Sequence, residues 1–183
     1  MYRKKTLRLK EKHGWKSRPG YRVCVLDRGA IRFDFPCDWK LSTDDDAVRI
    51  RDKAQPDDNC VLAVSRMFLP SEAAIVPLAE MVRITVESDG ERKFIHRKQA
   101  VDTTREDGVE IAWQEARYLD EKQDNREYFS RLCIGRGSGI YCLITFDFWV
   151  DQAGQFEHVW EEALRSLTFA LSVKDPTVGP VIQ

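Results

Sequence analysis

Histidine is scarce in this chain, with three in 183 residues, and none of the three stands at a metal-ligand spacing from another candidate ligand. The five cysteines, at 24, 37, 60, 133 and 142, are odd in number and form no Cys-x-x-Cys pair. A disulfide framework and a zinc site are both disfavoured by that pattern, and free thiols are expected. No apolar run approaches the ~20 residues that span a bilayer. The opening stretch MYRKKTLRLKEKHGWKSRPG has neither the apolar core of a secretory signal nor the serine enrichment of a transit peptide, so the expectation is a cytoplasmic protein. GRGSG (135–139) has no Walker lysine, and a strand-like run rather than a helix follows it. It reads as a hairpin loop, not a phosphate loop. No serine sits in a nucleophile-elbow context and no cysteine has an evident histidine base. The expectation is therefore a protein that is not an enzyme and takes no cofactor or metal. A site assembled in space would need a carboxylate such as Glu110 or Asp147 to meet His96 or His158.

What is present is a globular composition, 43% hydrophobic and 32% charged, which favours neither a disordered nor a membrane class, on a length of 183 residues that suits one domain or one domain plus a tail. Charge is unevenly placed. Through Arg22 there are nine Lys or Arg residues against the single acid Glu11, a net of +8, leaving 20 basic and 29 acidic residues, a net of −9, in the rest. The basic arm carries Arg3, Lys4, Lys5, Arg8, Lys10, Lys12, Lys16 and Arg18, with Tyr2 and Trp15 interleaved. Three roles stay open for it: solvation or docking back onto the acidic body, an acidic protein partner, or phosphates of a nucleic acid or an anionic membrane surface. The field of the negative body opposes nonspecific nucleic-acid binding. A second charged cluster, Asp44, Asp45 and Asp46 with Asp57 and Asp58 nearby, matches no calcium-loop spacing. It reads as a solvated loop or as an acidic patch for docking a partner.

Periodicity sets the elements. YRVCVLD and IRFDF alternate around RGA and predict a hairpin, ended by Pro36 because proline cannot donate to the ladder. Trp39 then folds its ring over the sheet end. AVRIRDKA and NCVLAVSRMFL read as strands after the loop STDDD. A helix beginning near Pro77 places Leu78, Met81 and Val82 on one face and stops by Gly90. KFIHRKQAV, VEIAWQEARYL, YFSRLCI and IYCLITFDFWV are strands again. In the last pair a turn centred on Gly137 sets Ile134 opposite Ile140 and Leu132 opposite Cys142, which predicts Cys142 buried and Cys133 on the other face. DQAGQFEHVWEEALRSL is the clearest helix: Phe156, Val159, Trp160, Ala163, Leu164 and Leu167 share a stripe, with Asp151 as N-cap. His158 is expected on its surface beside Glu161 and Glu162, and His96 on a strand surface. The sum is an α+β layered sandwich built on an antiparallel meander. Its organisation is an arm over 1–20, one domain over 21–170 and an irregular tail over 171–183.

That order of motifs, a hairpin leading into IRFDFPCDW, then CVLAVSRM, a central helix, IAWQEARY, GSGIYCLITFDF and FEHVWEEALRSLTF, resembles the PsbP-like superfamily over about residues 21 to 170. The superfamily includes the extrinsic PsbP subunit of photosystem II, an accessory factor that binds the GTPase Ran, and small bacterial proteins, some similar to chaperones of type VI secretion effectors. The resemblance implies an α/β/α sandwich around an antiparallel sheet and a mostly non-enzymatic role. The targeting segment of photosystem members is absent, and the GTPase-binding residues find no position-by-position match, so neither of those roles transfers. The expectation is a non-enzymatic bacterial adaptor or chaperone-like protein that presents a sheet face or an acidic loop to a protein partner. The alternative is a nucleic-acid- or ribosome-associated protein that uses the arm.

Overall fold

The computed structural model describes residues 7–44, 47–69, 76–88, 90 and 92–180. The alternating runs become strands: Tyr21–Leu26 (β1) and Ile31–Pro36 (β2) form the first hairpin, paired from Tyr21 with Pro36 to Leu26 with Ile31. Then come Lys40–Thr43 (β3), Val48–Arg51 (β4), Cys60–Met67 (β5), the helix Leu78–Glu87 (α1), Lys93–Arg97 (β6), Val101–Thr104 (β7), Glu110–Asp120 (β8), Arg126–Gly137 (β9) and Ile140–Trp149 (β10). The helix Ala153–Ser166 (α2) and the short Thr168–Phe169 (β11) follow. Every pairing is antiparallel. The large sheet runs β3-β4-β5-β10-β9-β8-β6, with β7 also on β8, and β1-β2-β11 form a separate small sheet.

Two clusters divide the core. On the inner face of the large sheet, Ile50, Leu62, Ile144, Phe146 and Phe148 meet the α2 stripe Phe156, Val159, Trp160 and Ala163 together with Phe33 and Phe35 of the small sheet. On the outer face Ala112, Ala116, Leu132 and Ile134 lie under Leu78, Val82 and Val86 of α1. This is an α+β fold in α/β/α layers, as the resemblance implies. No helix of the described residues is long and apolar enough to cross a membrane.

Several details differ from the sequence reading. A strand, β3, occupies the start of the segment taken as a loop, because Leu41 pairs with Ile50 and adds to the inner core. Trp39 lies on that inner face rather than over the sheet end, with its ring 6.0 Å from Phe156 and 6.3 Å from Phe146. The β9–β10 turn is centred on Ser138 and Gly139, both at positive φ, so Cys142 pairs with Gly135 and Ile144 with Cys133. Cys133 is therefore buried on the same face as Cys142, not the opposite one. Helices cover both faces of β9, so apolar alternation alone could not choose the register. Gly135 and Gly137 instead make room for Phe169 of β11: a Cβ on Gly137 would come within 2.6 Å of its ring. Asp151 does not cap α2, which starts after Gln152; it holds Arg126 through both oxygens at 3.0 and 2.9 Å.

A charged network crosses the inner face. The Arg131 guanidinium, buried among Trp113, Phe148 and Trp160 at 5.4, 5.2 and 5.7 Å from their ring centres, donates to Glu115 at 2.8 Å and to Glu157 at 2.6 Å. Lys98 reaches Glu115 from the β6–β7 connection at 2.7 Å. The strands β8 and β9, the β6–β7 connection and α2 are tied together there.

Candidate functional site

Among the described residues, the outer face of the large sheet is only partly roofed. α1 sits over β8 and β9, and the strand order places β10, β5, β4 and β3 to one side of it. Strand alternation and register fix what those strands display: Leu143 beside Ser65, Thr145 beside Ala63, Asp147 beside Val61, then Arg49 and Arg51 opposite Ala63 and Val61. All of these except Ala63 are partly exposed. The strip has an apolar centre and a charged margin, and is not a continuously charged surface.

The acidic cluster turns out to serve that margin. Asp44, at the tip between β3 and β4, accepts from the Ala47 amide at 2.7 Å and holds Arg49 at 2.5 Å. Asp58, at the other end of β4, holds Arg51 at 3.1 Å. Asp57 is exposed, its amide bound to the Ala54 carbonyl at 3.0 Å. Asp45 and Asp46 lie outside the described residues. Among those residues no group of His, Cys, Asp and Glu is arranged to hold a metal ion.

At one end of the outer face four aromatic rings stand in direct cross-strand register: Phe94 on β6, Tyr118 on β8, Tyr128 on β9 and Trp149 on β10. Successive centroids are 5.9, 5.6 and 6.3 Å apart, with edge-on, stacked and edge-on geometry. Arginines cover the row. The guanidinium carbon of Arg92 lies 4.3 Å from the Tyr118 ring centre and that of Arg126 lies 4.3 Å from Trp149. Arg92 also donates to Ser130 at 3.0 Å and approaches Asp147 at 3.9 Å. Burial pushes the Tyr128 hydroxyl above its ordinary pKa, with Arg92 opposing. Tyr118 is fully buried while Phe94 is 48% exposed, so the row runs from core to surface. Tyrosine, tryptophan and arginine are the residues enriched at the energetic centres of protein interfaces. Sequence reasoning missed this row, because only the register brings the four rings together.

The other candidates do not converge. Glu110 is bound to Arg136, and Asp147 is met by Arg92, while His96 lies exposed on β6 and His158 exposed on α2. Glu162 is not a surface partner of His158; it is buried at 1% exposure and holds Arg165 and Arg18. The described part of the arm docks back. Lys10 and Gly14 amides bind the carbonyls of Thr177 and Val178 at 2.9 and 2.6 Å, and Trp15 is buried with its indole N–H on the Pro176 carbonyl at 2.9 Å. Lys10 pairs with Asp175 at 3.1 Å and Arg18 with Glu162 at 3.4 Å, whereas Arg8, Lys12 and Lys16 are exposed. Arg3, Lys4 and Lys5 lie outside the described residues. The indole rests against Gly179, where a Cβ would come within 2.8 Å of it.

Among solved structures the chain is similar to cyanobacterial PsbP (CyanoP) from Synechocystis sp. PCC 6803, with a TM-score of 0.59 and 16% identity over 86% of this chain and 96% of that one. It is similar also to the Ran-binding protein Mog1p of Saccharomyces cerevisiae, with a TM-score of 0.56 and 12% identity over 87% and 98% of the two chains. These likenesses carry the fold. In sequence, the chain is 42% identical over 177 residues to the uncharacterized protein alr1449 of Nostoc sp. (strain PCC 7120), covering 96% of this chain and 91% of that protein. The Alr1449 family model matches residues 22–173. The chain thus belongs to the Alr1449 family, on a PsbP-like fold.

Proposed function

We propose that the protein is a non-enzymatic, cytoplasmic adaptor or chaperone-like protein that binds a protein partner on the outer face of its large sheet. The observation that carries this reading is the partly roofed strip of Val61, Ala63, Leu143 and Thr145, continuous on β10 with the arginine-covered aromatic row. A protein partner would bury apolar area at the centre and leave the paired charges at the rim. The fold neighbour Mog1p is itself a Ran-binding protein, which supports protein binding as a use of this architecture. The acids Asp44 and Asp58 are engaged with Arg49 and Arg51, which favours the sheet face over an acidic loop as the contact.

The test is affinity capture with the wild-type chain, with Thr145→Arg on the strip, and with Arg8→Gln/Lys12→Gln on the exposed part of the arm. A partner retained at high salt by the wild type and the arm variant, and lost by Thr145→Arg with its melting temperature unchanged, is the expected result. Capture of RNA or DNA that is lost at high salt and in the arm variant would favour the nucleic-acid alternative instead. Retention by Thr145→Arg would overturn the assignment of the face.

A further inference from the structure

Beside the docked arm, four cations from three separate parts of the chain line one open cavity of about 380 Å3: Lys16 and Arg18 of the arm, Arg32 of β2 and Arg165 of α2. Two carboxylates offset part of that charge. Asp34, buried, pairs with Arg32 at 2.6 Å. Glu162, buried, engages Arg165 at 2.9 and 2.5 Å and Arg18 at 3.4 Å. Four cations against two carboxylates leave two positive charges around the cavity. The carbonyl end of α2, which by itself disfavours an anion, is already occupied: Arg105 donates to the carbonyls of Leu164, Arg165 and Leu167, and Arg32 to that of Ser166.

Hydrogen-bonding capacity remains on the same walls. Each guanidinium carries five N–H donors, of which Glu162 engages one on Arg18 and two on Arg165. Lys16 adds an exposed ammonium on a flexible stem. A fork of arginine N–H groups with a lysine point charge is the donor set that suits a phosphate group. The arm completes the site, since Arg32 also donates to the Lys16 carbonyl.

We propose that this cavity binds the phosphate group of inorganic phosphate or of a small phosphate monoester, a dianion that matches the surplus of two charges. Its occupation couples to arm docking, because Lys16 and Arg18 line the cavity with the arm docked.

The experiment is isothermal titration of the full chain with inorganic phosphate and with glycerol phosphate, at ionic strength matched with chloride. Lys16→Gln/Arg18→Gln removes two charges inside the cavity, and Arg8→Gln/Lys12→Gln removes the same charge from the arm outside it. Binding that is unchanged in the outer variant and at least 10-fold weaker in the inner one is expected, with Lys16→Gln alone intermediate. A tighter fit for glycerol phosphate assigns the rest of the cavity to the body of an ester, and equal affinities assign it to the phosphate group alone; both support the site. No binding beyond that of chloride overturns the proposal, and so does an equal loss in the two double variants, which would report only the general field of the arm.

Discussion

Replacing Arg131 with methionine should cost the protein on the order of 3 kcal/mol. The substitution keeps an unbranched side chain among Trp113, Phe148 and Trp160 but removes the charge that meets Glu115 at 2.8 Å and Glu157 at 2.6 Å. Glu115 is 3% exposed, and would be left with Lys98 alone, whose side chain is 66% exposed. Breaking a buried pair by removing one partner costs about 3 to 5 kcal/mol; the remaining lysine keeps the value at the lower end. For a chain of this size that is roughly 6 to 12 °C in Tm. Burial alone would raise the Glu115 carboxyl, but hydrogen bonds and charge from Lys98 and Arg131 hold it below its ordinary pKa. A folded pKa below the unfolded one means that Glu115 contributes stability above the ordinary carboxylate range and loses it as pH falls through the folded value. Urea unfolding followed by tryptophan fluorescence, from pH 7 down to pH 3, reads both effects. Arg131→Met should narrow the wild-type fall in stability on acidification, and Glu115→Gln/Arg131→Met should recover part of the loss. A single substitution costing under about 1 kcal/mol, or a double variant no better than the single, would refute the network as a source of stability.

Trp39→Ala should destabilise by about 3 kcal/mol or more by emptying the contact with Phe146 and Phe156, measured by the same unfolding assay, and should leave partner capture by the folded protein unchanged. Among the thiols only Cys37 is exposed, and burial pushes Cys24 and Cys142 up to about 12. A thiol reagent at pH 8 should therefore titrate one cysteine quickly in the native chain and the other four only after unfolding. Hydrogen bonds from Thr177, with Lys10, lower the Asp175 carboxyl to about 2. The Lys10–Asp175 pair should then persist below pH 4, where an unfolded aspartate protonates, and be lost as pH approaches 2. Asp175→Asn should speed hydrogen exchange of the Lys10 and Gly14 amides at neutral pH.

Much of the architecture was legible because each element repeats its own period. The α2 stripe from Phe156 to Leu167 and the β1–β2 hairpin emerge where 3.6- and 2-residue repeats place them. The β9–β10 register was not legible. With helices on both faces, Leu132 and Cys133 are both buried, and the deciding contact, Phe169 over Gly135 and Gly137, comes from a strand that follows only after β10 and α2. Burial of Glu162 escaped for a similar reason, since its partner Arg18 lies 144 residues away. Docking of the arm stayed one of three open roles, because the cradle of Trp15, formed by Pro176 and Gly179, sits at the far end of the sequence. The aromatic row needs three registers at once, and no local pattern encodes that.

The outer face is the centre of the functional account, and site-specific photo-crosslinking tests it most directly. A photoreactive residue placed in the full chain at Thr145 on the strip, at Trp149 at the end of the aromatic row, and at Glu161 on the exposed side of α2 would be irradiated in cells and the adducts resolved by mass. One discrete protein adduct, shared by positions 145 and 149 and absent at 161, is the expected result. An adduct at 161 alone, or none at the two sheet positions, would contradict it.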